Sequence, residues 1–275
     1  MKNRSLLISL LTFLGAINIT PDQPGHTAAS IINCKGQIPD KTACLITPSS
    51  LKVDIYRVDL CKESPFPKYR SSPDYAAADC ITLFNGNGNL YRGQFKKGYN
   101  YKLPQKGKDN LKPGIYNYLT IIFKNSFKSS GIYTSGENTW STGGNGRGNN
   151  KVILEKNKDK LIEFTSKLNN WKGKRNKKND YCDNNGGTFS RCEINYNGHE
   201  LTAIGLGNDF IETFGSKTSY LFYMNKLRSP INLKENLTGD VALKDYNSLE
   251  VYGDGSEVKS ISIAPFIFEA IYIEE

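Results

Sequence analysis

Leu111-Lys112-Pro113-Gly114-Ile115-Tyr116-Asn117-Tyr118-Leu119-Thr120-Ile121-Ile122-Phe123 reads as a turn that feeds a long strand. Proline presets φ and glycine supplies φ > 0, so Pro113-Gly114 reverses the chain. The aromatic and β-branched residues that follow suit a pleated, half-buried surface. Upstream, Leu51, Val53 and Ile55 alternate with Lys52, Asp54 and Tyr56, as the two faces of a strand require. After Arg57 the phase changes, because Val58 and Leu60 take the opposite set of positions, and a bulge or a two-sided strand is expected there. Further strands are expected at residues 81–84, 90–95, 132–135, 201–206, 220–224, 241–243, 249–252 and 258–273. This density of short strands predicts a mainly β, antiparallel β-sandwich-like fold with at most one or two short helices.

Two segments interrupt the pattern. Leu161, Phe164, Leu168 and Trp171 sit at the spacing of one helix face, yet Lys160-Leu161-Ile162-Glu163-Phe164 reads equally as a strand. Residues 136–150, with Thr142-Gly143-Gly144-Asn145-Gly146-Arg147-Gly148, offer almost no apolar area and are expected to form a Gly/Asn-rich loop or linker. The expected organisation is a signal peptide over 1–29, a β-sandwich-like domain over 30–135, that linker, and a second β-rich region over 151–275. The last region either stands alone or completes the same sandwich. The nearly continuous apolar run from Ile261 to Ile273 predicts a strand buried on both faces and central in a sheet of its own domain. Donation of that strand to a neighbouring subunit is the sharper alternative.

The signal peptide rests on a basic Met1-Lys2-Asn3-Arg4 followed by an apolar stretch from Leu6 to Ile19, with cleavage expected after Ala28 or Ala29. That stretch is shorter than the roughly 20 residues of a spanning helix, so no membrane span is expected after cleavage. An outer-membrane barrel is disfavoured by the terminal Glu274-Glu275 and by loops that do not alternate. Six cysteines fall into three close pairs, Cys34 with Cys44, Cys61 with Cys80 and Cys182 with Cys192, which in an exported chain predicts three local disulfides. The expected location is secreted, cell-surface or periplasmic.

The Val53-Asp54-Ile55-Tyr56-Arg57-Val58-Asp59-Leu60-Cys61 strand, followed by the Pro113-Gly114-Ile115-Tyr116 turn into a long strand, resembles the opening of a family of uncharacterised exported bacterial β-sandwich proteins. The likeness covers residues 51–127. It implies a prealbumin-like or immunoglobulin-like sandwich at a cell surface and carries over no active site.

Bridged cysteines have no thiolate. Outside the leader the only imidazole is His199, which follows the hairpin signal Asn197-Gly198, so neither a Ser-His-Asp site nor a zinc site is expected. Asp180, Asp183 and Asn185 beside Gly186-Gly187 read as a disulfide-pinned turn, because the spacing departs from a calcium loop. No catalytic residue, metal or cofactor is expected. A carboxylate-dependent glycoside hydrolase would need two acids from a set such as Asp209, Glu212, Asp240, Asp245 and Glu250, and nothing in the sequence selects a pair. A carbohydrate-binding module would need an exposed aromatic face, for which Tyr91, Tyr99, Tyr101, Tyr116 and Tyr118 are the candidates.

Charge is distributed unevenly in a chain of net charge +9. Residues 151–178 hold ten basic side chains against three acids, whereas residues 230–275 hold nine acids against three lysines. Lys172, Lys174, Arg175, Lys177 and Lys178 are the candidate surface for an anionic partner, either an envelope polymer or the acidic end of a second copy. Nucleic acid is not an expected partner, because aromatic rings only flank this run. The sequence reads as an exported, non-enzymatic protein acting in binding or self-assembly.

Overall fold

The computed structural model describes residues 32–66, 72–104, 111–146, 152–157, 160–167, 191–196, 199–213, 217–234, 239–264 and 267–274. The expected leader, the basic run Lys172 to Lys178, the Asp180, Asp183 and Asn185 turn, and Cys182 lie outside the described residues. In chain order the strands are β1 (Ile32–Asn33), β2 (Asp40–Ile46), β3 (Ser50–Cys61), β4 (Cys80–Asn85), β5 (Tyr91–Lys96) and β6 (Tyr101–Lys102). They continue with β7 (Gly114–Ser130), β8 (Ile132–Ser135), β9 (Asn138–Asn145), β10 (Val152–Lys156), β11 (Phe164–Ser166) and β12 (Arg191–Tyr196). The last are β13 (His199–Leu206), β14 (Tyr220–Leu233), β15 (Gly239–Tyr246), β16 (Leu249–Asp254), β17 (Val258–Ile263) and β18 (Ile267–Glu274).

The two stretches that dominate the sequence pattern form the spine. β3 and β7 pair antiparallel from Ser50 opposite Ser130 to Cys61 opposite Tyr118. β14 and β11 line the far side of β7, β4 and β5 line the far side of β3, and β13 and β12 extend beyond β14 in an eight-stranded sheet. The register of β3 slips against β7 on either side of Ile55 and against β4 between Val58 and Asp59, so the irregularity expected after Arg57 begins a few residues before it. Because of it, Leu51, Val53 and Ile55 before the slip and Val58 and Leu60 after it all enter one core.

Three cores follow from the layering. The first lies between the large sheet and the sheet β18-β15-β6, where Phe268 meets Phe95, Phe123 and Tyr223 with ring centroids 5.0, 6.5 and 5.6 Å apart. The second gathers Trp140 and Tyr133 against Leu249, Val251, Val258 and Ile261, between the sheet β10-β9-β8 and the sheet β1-β2-β16-β17. The third covers the opposite face of the large sheet, with Ile122, Phe222 and Ile204 under Phe66. This is an antiparallel, sandwich-like β architecture, with a short parallel pairing of β1 on β2 and an isolated parallel bridge between Gly143 and Ile162 among the described residues. No α-helix occurs among the described residues.

Three expectations change. Residues 136–150 are not simply loop, because β9 runs through Thr142, Gly143 and Gly144. Glycine suits that strand since a Cβ on Gly143 would come within 2.8 Å of the Glu155 side chain and 2.9 Å of that of Ile153. Nor does this stretch divide two sheets, since β14 pairs directly with β7. In the ambiguous 159–171 segment the described residues take the strand option, with Phe164 opposite Ser129 and buried in the second core. The C-terminal run divides into β17 and β18, each at the edge of its sheet rather than central.

Asn225, buried on β14, ties that last strand down by donating from Nδ2 to the Phe268 carbonyl at 2.9 Å. Replacing Asn225 with alanine should lower unfolding free energy by about 1–3 kcal/mol in urea titrations, the cost of stranding a buried acceptor. An unchanged midpoint would show that the bond contributes nothing net.

Candidate functional site

Beyond its bulge, β3 turns Arg57 and Asp59 onto the outer face of the large sheet. Strand register then surrounds Asp59 with donors, because Thr82 on β4 and Thr120 on β7 are its cross-strand partners. The carboxylate is 1% exposed and accepts from Arg57 Nε at 2.9 Å, Thr82 Oγ1 at 2.9 Å and Thr120 Oγ1 at 3.5 Å. Arg57 Nη2 lies 2.8 Å from Asp59 Oδ1 and also donates to Thr82 Oγ1 at 3.0 Å. Burial raises the Asp59 carboxyl above its ordinary value, against the lowering pull of Arg57 and the two threonines. A raised carboxyl is a common mark of a proton-transfer site. Here both oxygens already face donors of the chain itself, so the group acts as a fixed anion that orients Arg57.

A lid covers the pair. Cys61 and Cys80 are direct cross-strand partners, and their disulfide closes the intervening loop at a Cα separation of 4.0 Å. Within the loop, Tyr75 lies beneath Arg57, whose Cζ is 3.7 Å from the ring centroid. Burial, and then the Asp59 charge, push the Tyr75 phenol far above the usual tyrosine range. Phe66 of the same loop rests on Phe222 at 4.9 Å, and Lys62 pairs with Asp79 at 2.5 Å across the loop's base.

Beside the lid lies a half-buried aromatic group. Phe210 is 4.6 Å from Tyr56 and stacks on Tyr220 at 4.8 Å. It projects from a turn in which its N–H donates to the Gly207 carbonyl and Asp209 Oδ1 accepts from the Ile211 N–H. Phe210 has φ 59°, a left-handed conformation that costs a bulky residue roughly 1–2 kcal/mol. The ring stack offsets that strain. The three rings pack on one another, two of the pairs tilted and the Phe210–Tyr220 pair stacked, so they form no flat row of the kind that stacks on a sugar.

The remaining predicted residues are dispersed. The disulfides Cys34–Cys44 and Cys61–Cys80 form as expected, and Cys192 sits in β12 with its expected partner outside the described residues. Of the five tyrosines, Tyr116 is buried and donates to the Lys112 carbonyl, Tyr118 joins the third core, and Tyr91 neighbours Tyr101 at 6.4 Å. Tyr99 is 70% exposed, so the five do not make one row. Asp209 and Glu212 belong to the 207–213 turn, Asp240 and Asp245 to β15, and Glu250 to β16. Asp245 is buried and accepts from Ser248 Oγ at 2.8 Å, while burial raises the Glu250 carboxyl. His199 opens β13 directly opposite Tyr196, and Asn197 and Gly198 lie outside the described residues. No cluster of three or more metal-ligating side chains occurs among the described residues.

Sequence reasoning passed over the Arg57–Asp59 pair. The available signal was two opposite charges at i and i+2 after the phase change, just before a cysteine. No protein-family model, curated protein or solved structure matches the chain.

Proposed function

We propose that the chain is an exported, non-enzymatic β-sandwich protein that acts at a cell surface or outside the cell in binding or self-assembly. The observation that carries this reading is the state of Asp59, the acid most withdrawn from water among the described residues. Its hydrogen-bonding capacity is spent on Arg57, Thr82 and Thr120, so the site serves to fix a lid. The five other candidate acids fall on three separate elements. Two disulfides support an oxidising compartment, and no helix among the described residues is long and apolar enough to cross a membrane. The basic 151–178 and acidic 230–275 segments supply the attraction for a second copy or for an anionic envelope polymer.

Light scattering coupled to size exclusion, run over a dilution series, and retention on a heparin column as the polyanion probe test this together. Self-association or salt-sensitive retention is expected. A chain that stays monomeric and passes through the column unretained overturns the proposal.

A further inference from the structure

We propose that the outer edge of β18 is a self-pairing edge, which takes β18 of a second copy in antiparallel register about a two-fold axis at Ile271. The inference rests on the assembly reading above and names its partner and contact. In an antiparallel ladder, residues alternate between those whose N–H and C=O face one neighbouring strand and those that face the other side. The Phe268 carbonyl accepts from Asn225 of β14, as fits a residue whose backbone groups face away from β15. By alternation, Ala270, Tyr272 and Glu274 face away as well.

No strand lies beyond β18 on that side among the described residues. Its ladder with β15 runs without a slip from Ile267 opposite Tyr246 to Glu274 opposite Gly239, so the edge carries no bulge. It also holds no proline, lysine or arginine, the residues that usually guard an open edge. Asn225 meets this edge at Phe268, near the start of the strand. The sheet it borders has three strands, and two copies joined at β18 would make one of six.

Charge selects the register. With the axis at Ile271, Ala270 of each copy opposes Tyr272 of the other and exchanges backbone bonds with it. Glu269 then opposes Ile273, and Glu274 opposes Phe268, so no like charges meet. An axis at Tyr272 would set Glu269 against Glu275. An axis at Ala270 would set the Phe268 carbonyl, which Asn225 already holds, inside the new ladder, whereas the Ile271 axis leaves it at the ladder's last pair, where its loss shortens the ladder by one pair only. A closed two-fold contact is also the commonest form of self-association. It brings two acidic C-terminal segments together, so added salt should strengthen it, the reverse of a basic loop meeting an acidic edge.

The full chain should show a concentration-dependent dimer in analytical ultracentrifugation that tightens with salt. Ile271→Glu and Ile271→Lys should each weaken it by about tenfold or more, through like charges placed face to face, and an equal mixture of the two should restore it. Ile271→Cys should cross-link copies under mild oxidation, and this variant decides the matter if the charged ones fail to fold. A dimer indifferent to both charges, or an Ile271→Cys chain that stays uncrosslinked while dimeric, rejects the β18 edge and leaves self-assembly standing on another surface. A monomer at every concentration and salt rejects both the β18 edge and self-assembly, and leaves the function resting on polyanion binding alone.

Discussion

Arg57→Ala should destabilise the fold by about 3–5 kcal/mol at neutral pH, the range for a buried ion pair that loses one partner. The loss comes from what remains: Asp59 would keep its burial and its two threonines but not the guanidinium. Tyr75 would lose the cation lying 3.7 Å over its ring, which loosens the lid as well. Asp59→Asn should cost less, since an amide oxygen still accepts from Arg57 and no buried anion is left behind. The double variant Arg57→Ala with Asp59→Asn should therefore recover part of the loss, in the manner of a double-mutant cycle. Urea titrations in which Arg57→Ala falls within about 1 kcal/mol of the parent would remove the pair from any central role.

The same pair sets a pH signature. In the folded state the Asp59 carboxyl lies above its ordinary value of 3.8, so the native chain holds this proton to higher pH than the unfolded chain does. Its contribution to stability is therefore full below the ordinary value and is lost as pH rises through the folded one. Removing Arg57 removes the principal force that pulls the folded value down, and so carries the window further toward neutrality. The deficit of Arg57→Ala should accordingly shrink as pH falls to about 4. Asp59→Asn should remove this component of the pH profile.

Where side-chain pattern and backbone pairing coincide, the sequence was legible. The Pro113-Gly114 turn, the β7 run, the phase change in β3 and the Asn197-Gly198 spacing each correspond to an element or a register in the structure. Two elements escaped for separate physical reasons. β9 forms from glycine and asparagine because a sheet needs only backbone bonds once a neighbour is close. Asn145 even continues the pattern with its side chain, donating to the Thr165 carbonyl and accepting from the Thr165 N–H, both at 2.8 Å. β18 misled because an apolar run reports cover on the faces of a strand, whereas position in a sheet depends on partners at its edges. The candidate site was hidden for a third reason. Arg57 and Asp59 read as an ordinary polar face, and the sequence does not show that the loop between Cys61 and Cys80 folds back to lay Tyr75 against Arg57.

Removing the Cys61–Cys80 bridge should cost about 3 kcal/mol on chain entropy alone, for a loop of nineteen-residue separation. The paired Cys61→Ala and Cys80→Ala variant is the cleaner test, because serine would leave a hydroxyl beside Cys61's fully buried position. The Cys34–Cys44 bridge spans ten residues, so entropy alone predicts a similar figure. Location separates them. Cys34 and Cys44 hold the two-residue β1 against β2, and their loss should let that end fray while the rest stays folded. Cys61 and Cys80 instead close the loop that sets Tyr75 under Arg57 and Phe66 on Phe222, so their loss should appear in global unfolding. Coupling follows: with the lid released, water reaches Asp59, and Arg57→Ala should cost less in the bridge-free background than in the parent. Hydrogen exchange should then show lost protection in β3 and β4 for the Cys61–Cys80 variant, and in β1 and β2 alone for the Cys34–Cys44 variant. Equal Arg57→Ala costs in the two backgrounds would mean that the disulfide and the ion pair stabilise the sheet independently, and the lid would no longer explain why a charged pair is buried there.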